Sequence, residues 1–184
     1  MSDLDFYAHV VTRCEVLGSR IGSGPGSWEE ALGPDYVDVP GGGLLRRDHG
    51  LVEITFSPRS PDSGEPAGRQ EAMSCVAFAV QVHRMRHEGA PPAAPAPLSR
   101  RYGAFMPRAR IGELRAAVEA LGHTVELEDA SGDIHRYRVP ESGARILVIA
   151  DPDPYGHGDH DPDDPHEPQV DDLWSLDVAP GWWP

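Results

Sequence analysis

Residues 151–172 read DPDPYGHGDHDPDDPHEPQVDD, a run of nine carboxylates, three histidines and five prolines without one basic residue. Two kinds of chemistry follow from those residue types. Carboxylates supply the oxygens a calcium ion takes, and Asp with His supplies a donor set for zinc or nickel. Alternatively, so many like charges on one segment create a field that steers a basic partner. The calcium spacing begins well, with Asp151, Asp153, Gly156 and Asp159 at the first, third, sixth and ninth loop positions. It then fails, because Tyr155 stands at the fifth position and Pro162 at the twelfth, where a bidentate Glu closes the shell. The metal candidates are thus Asp151, Asp153, His157, Asp159 and His160, with His166 as a further imidazole, and no helix aligns them. The charge reading is preferred and assigns Asp159, Asp161, Asp163, Asp164, Glu167, Asp171 and Asp172 to a partner-binding surface. It calls for no cofactor.

Elsewhere the residues that could carry a reaction do not converge. His83 and Arg84 fall at the end of an expected strand, with Cys75 eight residues earlier. At ~3.3 Å per residue, that spacing holds a thiol and an imidazole far apart on one strand. Residues 22–26 are glycine-rich but lack the Lys-Ser/Thr ending of a phosphate loop. Cys14 and Cys75 form no Cys-x-x-Cys unit and read as small core residues. The chain is therefore expected to be a non-enzymatic binding protein, with a metal-binding sensor or enzyme organised by residues 151–172 as the alternative.

Composition narrows the partners. A net charge of −14 disfavours nucleic acid, which requires local positive charge to replace released counterions. All sixteen basic residues are arginine. The first residues show no signal-peptide pattern and no stretch approaches the ~18 apolar residues of a spanning helix, so a cytoplasmic protein without membrane contact is expected.

The elements that must position the acidic segment are legible from periodicity. A helix is predicted over 3–17, with Ser2 and Asp5 as a capping box and Phe6, Val10, Cys14 and Leu17 on one face. A short second helix starts at Ser27 and stops at Gly33-Pro34. Strands at 44–47 and 51–57 form a hairpin around Asp48-His49-Gly50, and residues 74–85 return as a strand carrying Val76, Phe78, Val80 and Val82. After a proline-rich stretch within 86–101, Ile111, Leu114, Val118 and Leu121 mark a helix over 109–121. Strands follow at 124–128, 134–139 and 145–150, the last nearly all apolar and hence central, and 173–178 supplies another after the acidic loop.

Each half thus reads as a helix ending Ala-Leu-Gly followed by antiparallel strands. The fold class is α+β, with a mostly antiparallel sheet, helices on one face and two similar helix-plus-meander halves. At 184 residues one domain over 1–184 is expected, with 86–101 as the only place where two lobes could part, since neither half holds a generous core. The order SWEEALG, GLLRRDHGLVEITF, AVQVHRM, spanning residues 18–85, resembles small actinobacterial proteins of unknown function. In looser outline it is similar to SUKH-type and related immunity proteins of bacterial polymorphic toxin systems. The resemblance implies an α+β domain that neutralises a cognate toxin through a variable surface, and it assigns no particular residues.

Overall fold

The computed structural model describes residues 1–58, 73–86, 94–156, 161, 164 and 166–181. Helix α1 (Asp3–Arg13) opens with the predicted capping box. The Asp5 N–H donates to Ser2 Oγ at 3.2 Å and the Ser2 N–H to Asp5 Oδ2 at 2.6 Å. The helix ends a turn earlier than its apolar spacing suggests, because Cys14 turns left-handed (φ 53°). Leu17 and Gly18, both at positive φ, then make the two-residue turn of a small hairpin, β1 (Glu15–Val16) with β2 (Ser19–Arg20). Helix α2 (Pro25–Leu32) starts two residues before Ser27, since Pro25 has its φ preset for the first turn and Gly24 occupies the cap.

Strands β3 (Val37–Gly41), β4 (Leu44–Asp48), β5 (Val52–Ser57) and β6 (Ser74–Val80) form one antiparallel meander. Strand β3 was not expected. It pairs with β4 through Gly42-Gly43, both at positive φ, and lies at the sheet edge, where Pro40 is tolerated. β6 stops at Val80, and Val82–Arg86 form a 3-10 turn. Two more helices follow, α3 (Ala96–Tyr102) and α4 (Ile111–Ala120). α3 corrects the reading of the proline stretch: Pro95 caps it and Pro97 sits in its first turn, where a missing N–H costs nothing. In α4, Ile111, Leu114 and Val118 are buried as predicted, and Leu121 is exposed just past its end.

The second meander comprises β7 (Glu126–Asp129), β8 (Ile134–Arg138), β9 (Arg145–Ile149) and β10 (Leu173–Val178). β10 pairs with both β9 and β6, so the two meanders fuse into one eight-stranded antiparallel sheet in the order β3-β4-β5-β6-β10-β9-β8-β7. The order is symmetric about the β6/β10 seam. The register puts apolar rows across it: Val52, Val80, Leu176 and Ile146 align, as do Ile54, Phe78 and Val178. The four helices and this face enclose one core. Trp28 of α2 packs on Phe78 at 5.2 Å, and Phe6 of α1 meets Tyr102 and Phe105 at 5.2 and 5.5 Å. The fold is the α+β class expected, and no helix is long and apolar enough to cross a membrane among the described residues.

Candidate functional site

The acidic segment leaves β9 and returns to β10, and its two ends are bonded to each other. The Ile149 N–H donates to the Asp172 carbonyl and the Asp171 N–H to the Ile149 carbonyl, both at 2.9 Å. Asp172 also forms a β-bridge with Arg110, the N-cap of α4. The returning chain is thus held against two elements.

Asp172 corrects the partner surface read from the sequence. Its carboxylate is wholly buried and accepts hydrogen bonds from Arg108 Nε (3.0 Å), Arg86 Nη2 (3.3 Å) and the Gln169 N–H (2.9 Å). Arg86 is buried as well, and burial lowers its pKa while Asp172 opposes the shift. Taking Asp172 and Arg86 out of water is expensive, so removing the carboxylate would leave the buried Arg86 and the half-buried Arg108 uncompensated. Asp172 is therefore an anchor and is not available at the surface. Arg86 and Arg108 were missed as its partners. In sequence they are two arginines among sixteen, and only the fold brings residues 86, 108 and 172 together.

The described carboxylates beyond the anchor lie toward solvent. Asp151, Asp161 and Asp171 are exposed and Asp153, Asp164 and Glu167 half-buried. Several fold back on the loop's own backbone. The Asp153 N–H donates to Asp151 Oδ1 (2.9 Å), the His166 N–H to Asp164 Oδ1 (2.8 Å) and the Asp161 N–H to Glu167 Oε2 (2.6 Å). Gln169 donates to the Asp161 carbonyl, and His166 Nδ1 bonds the Arg86 carbonyl at 2.9 Å. The loop is therefore stitched to itself and to the 3-10 turn after β6. His157, Asp159, His160 and Asp163 lie outside the described residues. Among the described residues no three His, Cys, Asp or Glu side chains come together to hold a metal.

His83 and Arg84 have structural surroundings. A bulge in β10 displaces Trp174 outward, and the His83 ring stacks on it at 4.0 Å and 7°. Arg84 bonds Asp48, the Gly50 carbonyl and Glu53. Cys75 is buried in the core and burial pushes its thiol pKa up, which removes the thiolate a nucleophile needs.

The turn read only as a hairpin loop holds a second feature. His49, in Asp48-His49-Gly50, is 4% exposed, and neither ring nitrogen has a hydrogen-bond partner among the described residues. Burial and the nearby Arg47 guanidinium depress its pKa to about 4, so the imidazole is neutral. Tyr36 packs on it at 5.1 Å, and the Arg47 guanidinium lies 3.7 Å over the same Tyr36 ring while bonding Asp38 bidentately at 2.8 and 3.0 Å. No protein-family model, curated protein or solved structure matches this chain.

Proposed function

We propose that the protein is a non-catalytic binding protein that covers a basic surface of a partner protein with the acidic loop, as an immunity-type inhibitor covers a toxin. The observation that supports it is the root of the loop. Asp172 is sunk between Arg86 and Arg108 while Asp151, Asp161 and Asp171 stay in solvent. A loose run of carboxylates would lose much of its binding free energy in becoming ordered. A loop anchored at its root and bonded along its own backbone loses less. The net charge of −14 adds long-range attraction for a basic surface, such as that of a nuclease built to hold phosphates. The resemblance carried by residues 18–85 points to the same class of partner.

The test is co-expression with the basic toxin domains encoded beside the gene. Growth should be rescued by the wild-type protein and much less by a variant with Asp159, Asp161, Asp163 and Asp164 changed to Asn. A neighbourhood without any toxin-like reading frame, or toxins that stay active beside stoichiometric protein, would overturn the reading.

A further inference from the structure

The face of the sheet turned away from the helices carries a groove of about 340 Å³ along β6, starting just past the buried Asp172 at the root of the acidic loop. Strand register builds it. Val52, Val80 and Leu176 form a row that points into the core, so the neighbouring row of Glu53, Ala79 and Asp177 points out, as does the pair Thr55 and Ala77. The floor is therefore two alanine methyl groups. The polar walls stand on β5 and β10, whose backbones lie about 10 Å apart, twice the strand spacing. Trp174, bulged outward near the start of β10, adds aromatic surface to the groove, and the stacked His83 ring holds its indole in place.

The two walls are not equally engaged. Glu53 accepts from Arg84 on one oxygen and from Gln81 Nε2, at 3.0 Å, on the other, and Arg84 is shared with Asp48. Asp177 accepts from the Ser175 hydroxyl at 3.0 Å on Oδ1, and its Oδ2 is bonded to no described residue. Arg145 stands directly across from Asp177 on β9 but turns to Glu128, with its Nε 3.2 Å from that carboxylate. Burial outweighs the pull of Arg145 and raises the Asp177 pKa, the mark of a carboxylate short of positive charge. The surroundings select the kind of cation. A guanidinium bonds a carboxylate with its planar edge and lays its weakly hydrated face on methyl and aromatic surface. An ammonium is more strongly hydrated, and an anion would meet two carboxylates.

We propose that this groove seats an arginine side chain of the basic partner, with its guanidinium over Ala79, bonded to Asp177 Oδ2 and flanked by Trp174. The loop steers the partner, and the groove beside its root fixes the docked position. The proposal rests on the reading of a basic partner, but its test uses the protein alone, so the two can fail separately.

Amide and indole chemical shifts of the full chain at low salt, titrated with N-acetyl-L-arginine amide, read the site. N-acetyl-L-lysine amide carries the same charge, and N-acetyl-L-citrulline amide has nearly the same shape without it. The arginine probe should shift the Ala77, Ala79 and Asp177 amides and the Trp174 indole saturably in the millimolar range. The lysine probe should bind there about threefold or more weakly and the citrulline probe about tenfold or more weakly. Asp177→Asn keeps the shape of the wall and should weaken the arginine probe about tenfold while leaving citrulline unchanged. Ala79→Leu fills the floor at constant charge and should abolish the groove shifts. Both residues are half-buried on the solvent side of the sheet, so both variants should fold. The proposal is overturned if the groove signals do not saturate by roughly 50 mM, too weak for a built site. It is equally overturned if the lysine or citrulline probe moves them as readily as arginine does, or if either variant binds as wild type does.

Discussion

Replacing His49 with Phe should raise stability, and raise it more in acid than at neutral pH. The imidazole is buried, bonded to no described residue and neutral, with a pKa of about 4 against ~6.5 in an unfolded chain. Between those values the unfolded state binds the proton and the folded state does not. The His49 contribution is therefore intact above pH 6.5 and is lost as pH falls toward 4. Linkage gives a loss of about 2 kcal/mol between pH 7 and pH 5. Arg47 reinforces the neutral form, while Asp48, Asp38 and Glu29 oppose it, and the depressed value already includes them. Asp38 and Glu53 are held below the usual carboxylate range, by the Arg47 and Arg84 guanidiniums respectively, and do not titrate in this window. Burial pushes the Asp177 carboxyl up, so it contributes a slope of opposite sign, which the difference between wild type and variant removes. At pH 7 the variant should gain about 1 kcal/mol from losing an unpaired polar group, and about 3 kcal/mol at pH 5. Urea unfolding at the two pH values reads this directly. With a slope of about 2 kcal/mol/M, the gap in midpoints should widen by roughly 1 M in acid. Parallel midpoints at both pH values would mean that His49 has a partner or titrates normally, and the account of His49 as a buried neutral imidazole would fail.

Other outcomes follow from the anchor and the seam. Asp172→Ala strands the buried Arg86 guanidinium and the half-buried one of Arg108 and should cost about 3–5 kcal/mol in urea unfolding, whereas Arg108→Ala, at the more exposed partner, should cost distinctly less. Asp171 is exposed at φ 71°, so Asp171→Gly should be neutral to stabilising by up to about 1 kcal/mol, and a clear loss would reveal an unrecognised side-chain contact. Leu176→Ala empties a position at the seam of the two meanders and should cost about 2–5 kcal/mol while unfolding stays a single transition by both fluorescence and circular dichroism. Two separate transitions would show that the halves fold independently.

Periodicity made most of the sheet legible, because its rows are written as alternation: Val52, Ile54 and Phe56 in β5, and Ile146 and Val148 in β9. It failed where backbone conformation overrode side-chain pattern. Cys14 and Leu17 continue the apolar stripe of α1, yet both adopt positive φ, a choice set by the hairpin that follows. Val82 keeps the step of two from Val80 but belongs to a 3-10 turn, and the bulges at Val76 and at Trp174 break the alternation of β6 and β10. The acidic loop was visible from its charge. That Asp172 is its buried anchor was not, since Arg86 and Arg108 reach it only through the sheet seam and the start of α4. His49 was equally silent: a histidine before a glycine in a turn carries no sign that Tyr36 will pack on it.

The association rate with a basic toxin domain, measured at low and at physiological salt, tests the central claim most directly. Three proteins are compared: wild type, the loop variant with Asp159, Asp161, Asp163 and Asp164 changed to Asn, and a control with Glu30, Glu119 and Glu126 changed to Gln and Asp133 to Asn. The control loses the same charge at exposed positions elsewhere. The loop variant should associate about tenfold more slowly at low salt, with the gap closing as screening shortens the field to ~8 Å, while the control stays close to wild type. Equal slowing in both variants would mean that net charge alone attracts the partner and that the anchored loop is not the binding surface.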